Sequence, residues 1–322
     1  MIAEILYHDH ITDWELNKLL NEQFASYLAP DFPLVIASHS GLASETKCQT
    51  DFFVNNKRRG RPSDLRLISQ DSLASHVAKT FSLNSEVIRV QAECVSSLYA
   101  LYNASLISLA KNKSVVVFCA DNLLADDFDM WVFNSFGAVD QATGRPFDNS
   151  SKGFRMGVGA TLMLVKHPNV KHTLPTIATV SNFKFYTNPD LITSPGNVET
   201  IISHLGDIDY NKFDMYNAHA TGTPVGDKVE YELFNQTIKK DIPIISYKGY
   251  TGHCMAGAGA IEISMMLTDY ANNNLRPNII LGERIVNDDR IITEPTSFTY
   301  RKILKAGLGF GGKTVMCEIH IQ

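Results

Sequence analysis

Three segments of the chain carry a cysteine or a histidine where an apolar run gives way to a turn. The first, VIRVQAECVSSLYALYNASLISLA, changes from strand-like to helical spacing at Cys94. Backbone N–H groups and the positive end of a helix favour a thiolate there, lowering the pKa from about 8.5. The small residues Ala92, Ser96 and Ser97 would let a substrate approach the sulfur. Taken alone, Cys94 reads more readily as a buried structural cysteine, since cysteines are so often simply buried.

The second segment, DMYNAHATGTPVGDKVEYELF, ends an apolar strand at His219 and turns through Thr221, Gly222, Thr223, Pro224 and Gly226. Asp227 and Glu230 follow where a helix should begin, so their carboxylates can cap its free N–H groups. Irregular loops on a rigid scaffold carry chemistry, although a capped turn explains the same residues. The third segment, IPIISYKGYTGHCMAGAGAIEISMM, delivers His253 after a strand and follows it with Ala256, Gly257, Ala258, Gly259 and Ala260, a run that lets a helix backbone approach a neighbour or a ligand closely. Lys248 precedes His253 by five residues and Glu262 follows it by nine. A fourth segment, KAGLGFGGKTVMCEIHI, reads as a glycine-rich loop, Gly307 to Gly312 with Phe310 inside it, leading into a terminal strand. A phosphate-cradling loop would need a helix next, not a strand.

The elements needed to position these residues are those of an α/β protein, in which short β-branched runs alternate with amphipathic segments. Strands are expected at 34–38, 87–91, 115–119, 161–165, 177–181, 244–247 and 315–321, and helices at 94–109, 227–239 and 257–271. The polar segment His167 to Pro175, with two prolines, is the expected junction between two halves, 1–168 and 169–322. At 322 residues with 44% apolar and 20% charged content, the chain is long enough for one large core or two fused halves. A net charge of −5 gives no basic footprint for nucleic acid, the local stretch Lys57, Arg58, Arg59 and Arg61 excepted. Five cysteines without metal-like pairing fit a reducing, cytoplasmic compartment, and no metal is expected. The first residues lack the basic start and continuous apolar core of a signal peptide, and no run approaches the roughly 20 apolar residues that cross a bilayer.

Together, and in this order, the motifs resemble those of the β-ketoacyl synthases, the decarboxylating condensing enzymes of fatty-acid and polyketide assembly. AECVSSL resembles the nucleophile turn of that family, and NAHATGTPVGD and KGYTGHCMAGAGAIE resemble the segments of its two catalytic histidines. Lys248 and Glu262 fall where the family keeps a lysine and a glutamate. GRPFDNSSKGFRMGVGATLMLV, from Gly144 to Val165, resembles the close of its N-terminal half, and GLGFGG its C-terminal glycine loop. The likeness runs from about residue 85 to about residue 320.

The resemblance implies a thiolase-like, five-layered α/β/α/β/α fold of two related halves, normally dimeric, with the site between them. It implies an acyltransferase (EC 2.3.1-type) in which Cys94 is acylated and His219 and His253 stabilise the enolate from a malonyl thioester. Lys248 and Glu262 orient the site and set its charge, and backbone N–H groups at Cys94 and Phe310 form the oxyanion hole. Phe310 also gates the acyl pocket, which Trp131, Phe133 and Phe136 would line unless they are plain core. Thr221, Thr223, Gly309 and Gly311 would meet the pantetheine arm. No cofactor is expected beyond the phosphopantetheine of an acyl carrier protein, whose acidic surface suits Lys57, Arg58, Arg59 and Arg61 unless these form a solvated loop.

The chain departs from the family in several places. Only 93 residues precede Cys94, so the N-terminal half is expected to be shortened, and a heterodimer with a related ketosynthase-like subunit becomes an alternative to a homodimer. Glu93 stands where a small residue is usual; pointing at the sulfur it would raise the thiol pKa, and pointing away it would be a surface or interface residue. Val158 replaces an acidic residue, and Ala306 and Gly307 replace a more polar pair. The alternatives to an elongating synthase are a transacylase or non-decarboxylating coupler, and a non-catalytic subunit that shapes a partner's pocket.

Overall fold

The computed structural model describes residues 5–6, 25–39, 72–121, 132–135, 137–171, 174–190, 196–297 and 299–322. Cys48, the basic stretch from Lys57 to Arg61, Trp131 and Phe136 lie outside them. The first sheet has the order β1-β5-β4-β2-β3, from β1 (Ile5–Leu6), β2 (Leu34–Ala37), β3 (Val87–Val90), β4 (Val115–Asp121) and β5 (Gly159–Val165). The second has the order β6-β10-β9-β7-β8, from β6 (Ala178–Thr187), β7 (Met215–Asn217), β8 (Ile244–Ile245), β9 (Lys302–Gly309) and β10 (Lys313–Ile321).

Position by position the two sheets repeat one another. β2 runs parallel to β3 and β4 as β7 does to β8 and β9, while β5 is antiparallel to β4 and β1 as β10 is to β9 and β6. The two related halves, undetectable as sequence identity, are therefore plain in the topology.

Period-2 patterning sets the layers. Along β4, Val115, Val117 and Cys119 face the central core, and Val116, Phe118 and Ala120 face the opposite side with Leu73, Ala74 and Val77 of α1 (Ser72–Thr80). Between the sheets lie α2 (Ser96–Lys111) and α6 (Ala258–Ala271), reached through α5 (Lys248–Thr251) and a 3-10 turn (Met255–Gly257). Outside the second sheet, α3 (Val198–Leu205) and α4 (Pro224–Thr237) cover Tyr216, Leu304 and Met316. Five layers result, helix, sheet, helix, sheet, helix, a thiolase-like α/β arrangement.

Two expected features fall differently. Gly307, Leu308 and Gly309, expected in a glycine-rich loop, belong to β9, and the reversal is confined to Phe310–Gly312. Gly307 is needed in that strand because an added Cβ would press on Leu98 and Val95 at the start of α2. The predicted strand at 244–247 shrinks to Ile244–Ile245, because Lys248 already opens α5.

Candidate functional site

The turn that presents Cys94 is built by its neighbours. Glu93 has φ 52°, a left-handed conformation that is costly for a residue with a Cβ. Ser96 braces it: the Ala92 N–H donates to the Ser96 hydroxyl at 2.8 Å, and that hydroxyl donates to the Glu93 carbonyl at 2.5 Å. Ser97 accepts from the Ala260 N–H at 3.1 Å, tying α2 to α6. Both serines are fully buried, so they hold the turn and the helices together and do not open a path to the sulfur.

Cys94 is 4% exposed, and burial pushes its thiol up to about 12. Lys248 and the Phe310 N–H act in the opposite direction, and the Glu93 charge adds to the rise. The low thiol pKa expected from the helix start is thus overturned by desolvation. The half-exposed Glu93 carboxylate stands 3.9 Å from His39 Nε2, at the protein surface, yet its charge still acts on the sulfur.

His219 follows β7 at a bend held from α4. Glu230 accepts the His219 N–H at 2.6 Å, the Ala220 N–H at 2.5 Å and the Tyr216 hydroxyl at 3.2 Å. Asp227 accepts the N–H groups of Phe147 at 2.7 Å, Thr221 at 2.9 Å and Gly222 at 3.1 Å. These carboxylates were expected to cap their own helix; they instead bind the loop that carries the histidine. Burial raises the Asp227 carboxyl to about 7 and also raises that of Glu230.

His253 is fixed to the other half. Its N–H donates to the Arg155 carbonyl at 2.6 Å, and its carbonyl accepts the Gly157 N–H at 3.1 Å. Gly157 permits that approach, since an added Cβ would strike the Thr251 carbonyl oxygen. The His253 ring stands edge-on to Phe154 at 5.3 Å and to His219 at 5.4 Å, centroid to centroid. Burial, then the Lys248 charge, lower both imidazoles well below the ordinary 6.5, so both are neutral near pH 7. Lys248 Nζ lies 3.4 Å from His219 Nδ1 and donates to the His219 carbonyl. An ammonium only donates, so this geometry makes Nδ1 the acceptor and puts the ring proton on Nε2. His253 Nδ1 has no hydrogen-bond partner among the described residues.

A cavity of about 520 Å³ is lined by Cys94, His219, His253, Phe154, Thr221, Thr223, Gly309 and Phe310, with Lys152 and Val225 also on its wall. The hydroxyls of Thr221 and Thr223 lie 2.9 Å apart. Beside Cys94 the Phe310 ring stacks on Phe133 at 5.7 Å, and Phe133 packs with Phe154 and Met255. Gly311, with φ 72°, sits in the turn between β9 and β10 and is not on the cavity wall among the described residues. Lys248 and Glu262 stand behind the wall, both buried and ion-paired. Sequence reading missed a third member, Lys305, whose Nζ lies 2.6 Å from Glu262 Oε2. The alternation Ile303, Lys305, Gly307 along β9 was its signal, a lysine at an inward position, concealed because the expected loop begins at Gly307 and no strand is expected just before it.

Family models agree with this architecture. Residues 28–169 match the β-ketoacyl synthase N-terminal domain, and residues 193–281 match the β-ketoacyl synthase C-terminal domain. The chain is 25% identical over 279 residues to a Streptomyces halstedii protein named as a putative polyketide β-ketoacyl synthase, covering 79% of this chain and 65% of that one. A non-reducing polyketide synthase of Aspergillus terreus is 27% identical over 217 residues, covering 61% of this chain and 8% of its own length. The chain thus spans less than two thirds of either relative. A ketosynthase in complex with its chain length factor, from Xenorhabdus doucetiae, superposes with TM-score 0.79 at 17% identity, covering 96% of this chain and 79% of that one. A type II ketosynthase in complex with its acyl carrier protein gives TM-score 0.78 at 19% identity, covering 96% and 84%. The fold is thiolase-like. The chain belongs to the β-ketoacyl synthase family.

Proposed function

We propose that the chain is a ketosynthase that joins an acyl thioester to a malonyl unit on an acyl carrier protein, releasing carbon dioxide, in polyketide or specialised fatty-acid biosynthesis. The observation that carries this reading is a cysteine thiol and two neutral, buried imidazoles facing one cavity.

Because burial keeps the Cys94 thiol protonated, a neutral imidazole takes its proton as the sulfur attacks the acyl carbonyl. The oxyanion is met by the N–H groups of Phe310 and Cys94, and one such donor is worth about 3 kcal/mol. The tetrahedral centre expels the carrier thiolate, which recovers the proton. A malonyl thioester then enters, its carbonyl oxygen directed at the two histidines. Loss of carbon dioxide leaves an enolate oxygen that accepts their hydrogen bonds, and neutral donors supply these without a prior protonation. The enolate carbon attacks the acyl group on Cys94; the second tetrahedral centre collapses, frees the thiolate and leaves a 3-oxoacyl thioester on the carrier. Thr221, Thr223 and Gly309 line the path of the pantetheine arm. The partners on this reading are an acyl carrier protein and a second subunit, either another copy or a related ketosynthase-like chain.

The test is carbon dioxide release from malonyl carrier protein plus an acyl thioester, for the native chain, Cys94→Ala and His253→Ala. Acyl-dependent release abolished by both changes supports condensation. Acylation of Cys94 with no release defeats it in favour of acyl transfer.

A further inference from the structure

The Glu262 carboxylate is held from both sides: Oε1 by Lys248 Nζ and Oε2 by Lys305 Nζ at 2.6 Å, with all three side chains 1% exposed. Lys305 also donates to the Ala306 carbonyl at 2.7 Å and reaches the Ala218 carbonyl, just before His219, at 3.4 Å. On the sheet it stands in register between Asn217 of β7 and Cys317 of β10, an ammonium on an otherwise largely apolar inner face. A lysine buried this deeply is retained at a desolvation cost that only its partners offset. Burial lowers the Lys305 pKa from its ordinary value, opposed by the charges of Glu262 and Glu230, so the lysine depends on that shared carboxylate to keep its charge behind the histidine pair.

We propose that Lys305 is a positioning residue: it fixes the far oxygen of Glu262, so that the near oxygen holds Lys248 against His219. It touches neither cavity nor substrate; it sets geometry through Glu262 and Lys248, and its own charge also reaches His219. The charged groups around His219 come from every element packed there: Lys248 from α5, His253 after it, Glu262 from α6, Lys305 from β9, and Glu230 and Asp227, which grip its loop, from α4. Lys305 is one of the charges that hold His219 in its neutral form. Removing it makes protonation of His219 easier, so the acid limb of activity moves to higher pH.

This inference rests on the ketosynthase reading for its activity readout and on geometry for the rest. Carbon dioxide release is followed from about pH 5.5 to 8.5, a range that brackets the ordinary imidazole midpoint, for the native chain, Lys305→Met, Glu262→Gln and the double variant. The expected result is about a tenfold loss for Lys305→Met at pH 6, about twofold or less at pH 8, and, at pH 8 where the direct charge effect on His219 no longer matters, a double variant no slower than Glu262→Gln alone. An unmoved acid limb, or losses that multiply in the double variant at pH 8, overturns the proposal. If Lys305→Met does not fold, Lys305→Gln carries the same comparison, and Lys305→Arg, which keeps the charge, should keep the native limb. The ¹⁵N shifts of the His219 ring in histidine-labelled protein decide without turnover: its protonation midpoint should rise in Lys305→Met, and an unchanged midpoint refutes the inference. A native chain that releases no carbon dioxide defeats the ketosynthase reading alone, because the imidazole spectra still answer for Lys305.

Discussion

Cys94 combines a strained approach with a protonated thiol, and that pairing predicts how it reacts with reagents that bring no base. Labelling by iodoacetamide should be slow at pH 8 and still rising above pH 9, since the thiol lies at about 12 instead of about 8.5. A labelling curve that levels off near pH 8 would contradict the burial argument. Glu93→Gln removes one of the charges that raise the thiol, so labelling at pH 8 should quicken about two- to fivefold with little change in stability. For the histidines the sign runs the other way. An ordinary imidazole is half protonated at about 6.5. His219 and His253 have folded values well below that and stay neutral as pH falls through 6.5. Carbon dioxide release should therefore persist at pH 6 and decline only at more acid values, which a pH profile of the native chain checks.

At the level of elements, the contact between the 155–157 segment and the loop at His253 controls whether the two halves share a site. Gly157→Ala places a methyl group against the Thr251 carbonyl, and neither backbone can retreat. It should cost about 2 kcal/mol or more and remove activity, measured by urea unfolding and carbon dioxide release. Much of this level was legible in the sequence. The strands 34–37, 87–90 and 115–121 and the helices after Cys94 and His253 follow from β-branched runs and apolar spacing. What escaped had physical reasons. β9 carries a lysine and a glycine at inward positions that erase its alternation, and α1 and α3 are only 9 and 8 residues long. The approach of Cys94, His219 and His253 was legible only through family likeness, because it depends on packing between segments far apart in the chain. Lys305 escaped even that, and only its place on β9 brings it beneath Glu262.

Across the whole molecule, α2 and α6 pack through small residues, and the core between the sheets takes side chains from both halves. Neither half keeps that core covered alone. The intact chain should unfold in urea as one cooperative unit, with hydrogen exchange in β4 and β9 slowing to the same limit; separate transitions would show that the halves are independent domains. Cys94 follows β3 and His253 follows β8, which are equivalent strands of the repeated topology, so the same place in each half brings a side chain to the shared cavity, a cysteine from one half and a histidine from the other. The placement of β10 between β6 and β9 has a further consequence during protein synthesis. The second sheet cannot close until residues 313–321 have left the ribosome, and until then β6 and β9 present unpaired edges while the outer helices have no complete surface to cover. The growing chain must wait with half of its fold unclosed while every earlier strand of both sheets is made, so a stretch of synthesis passes with strand edges open to wrong pairing.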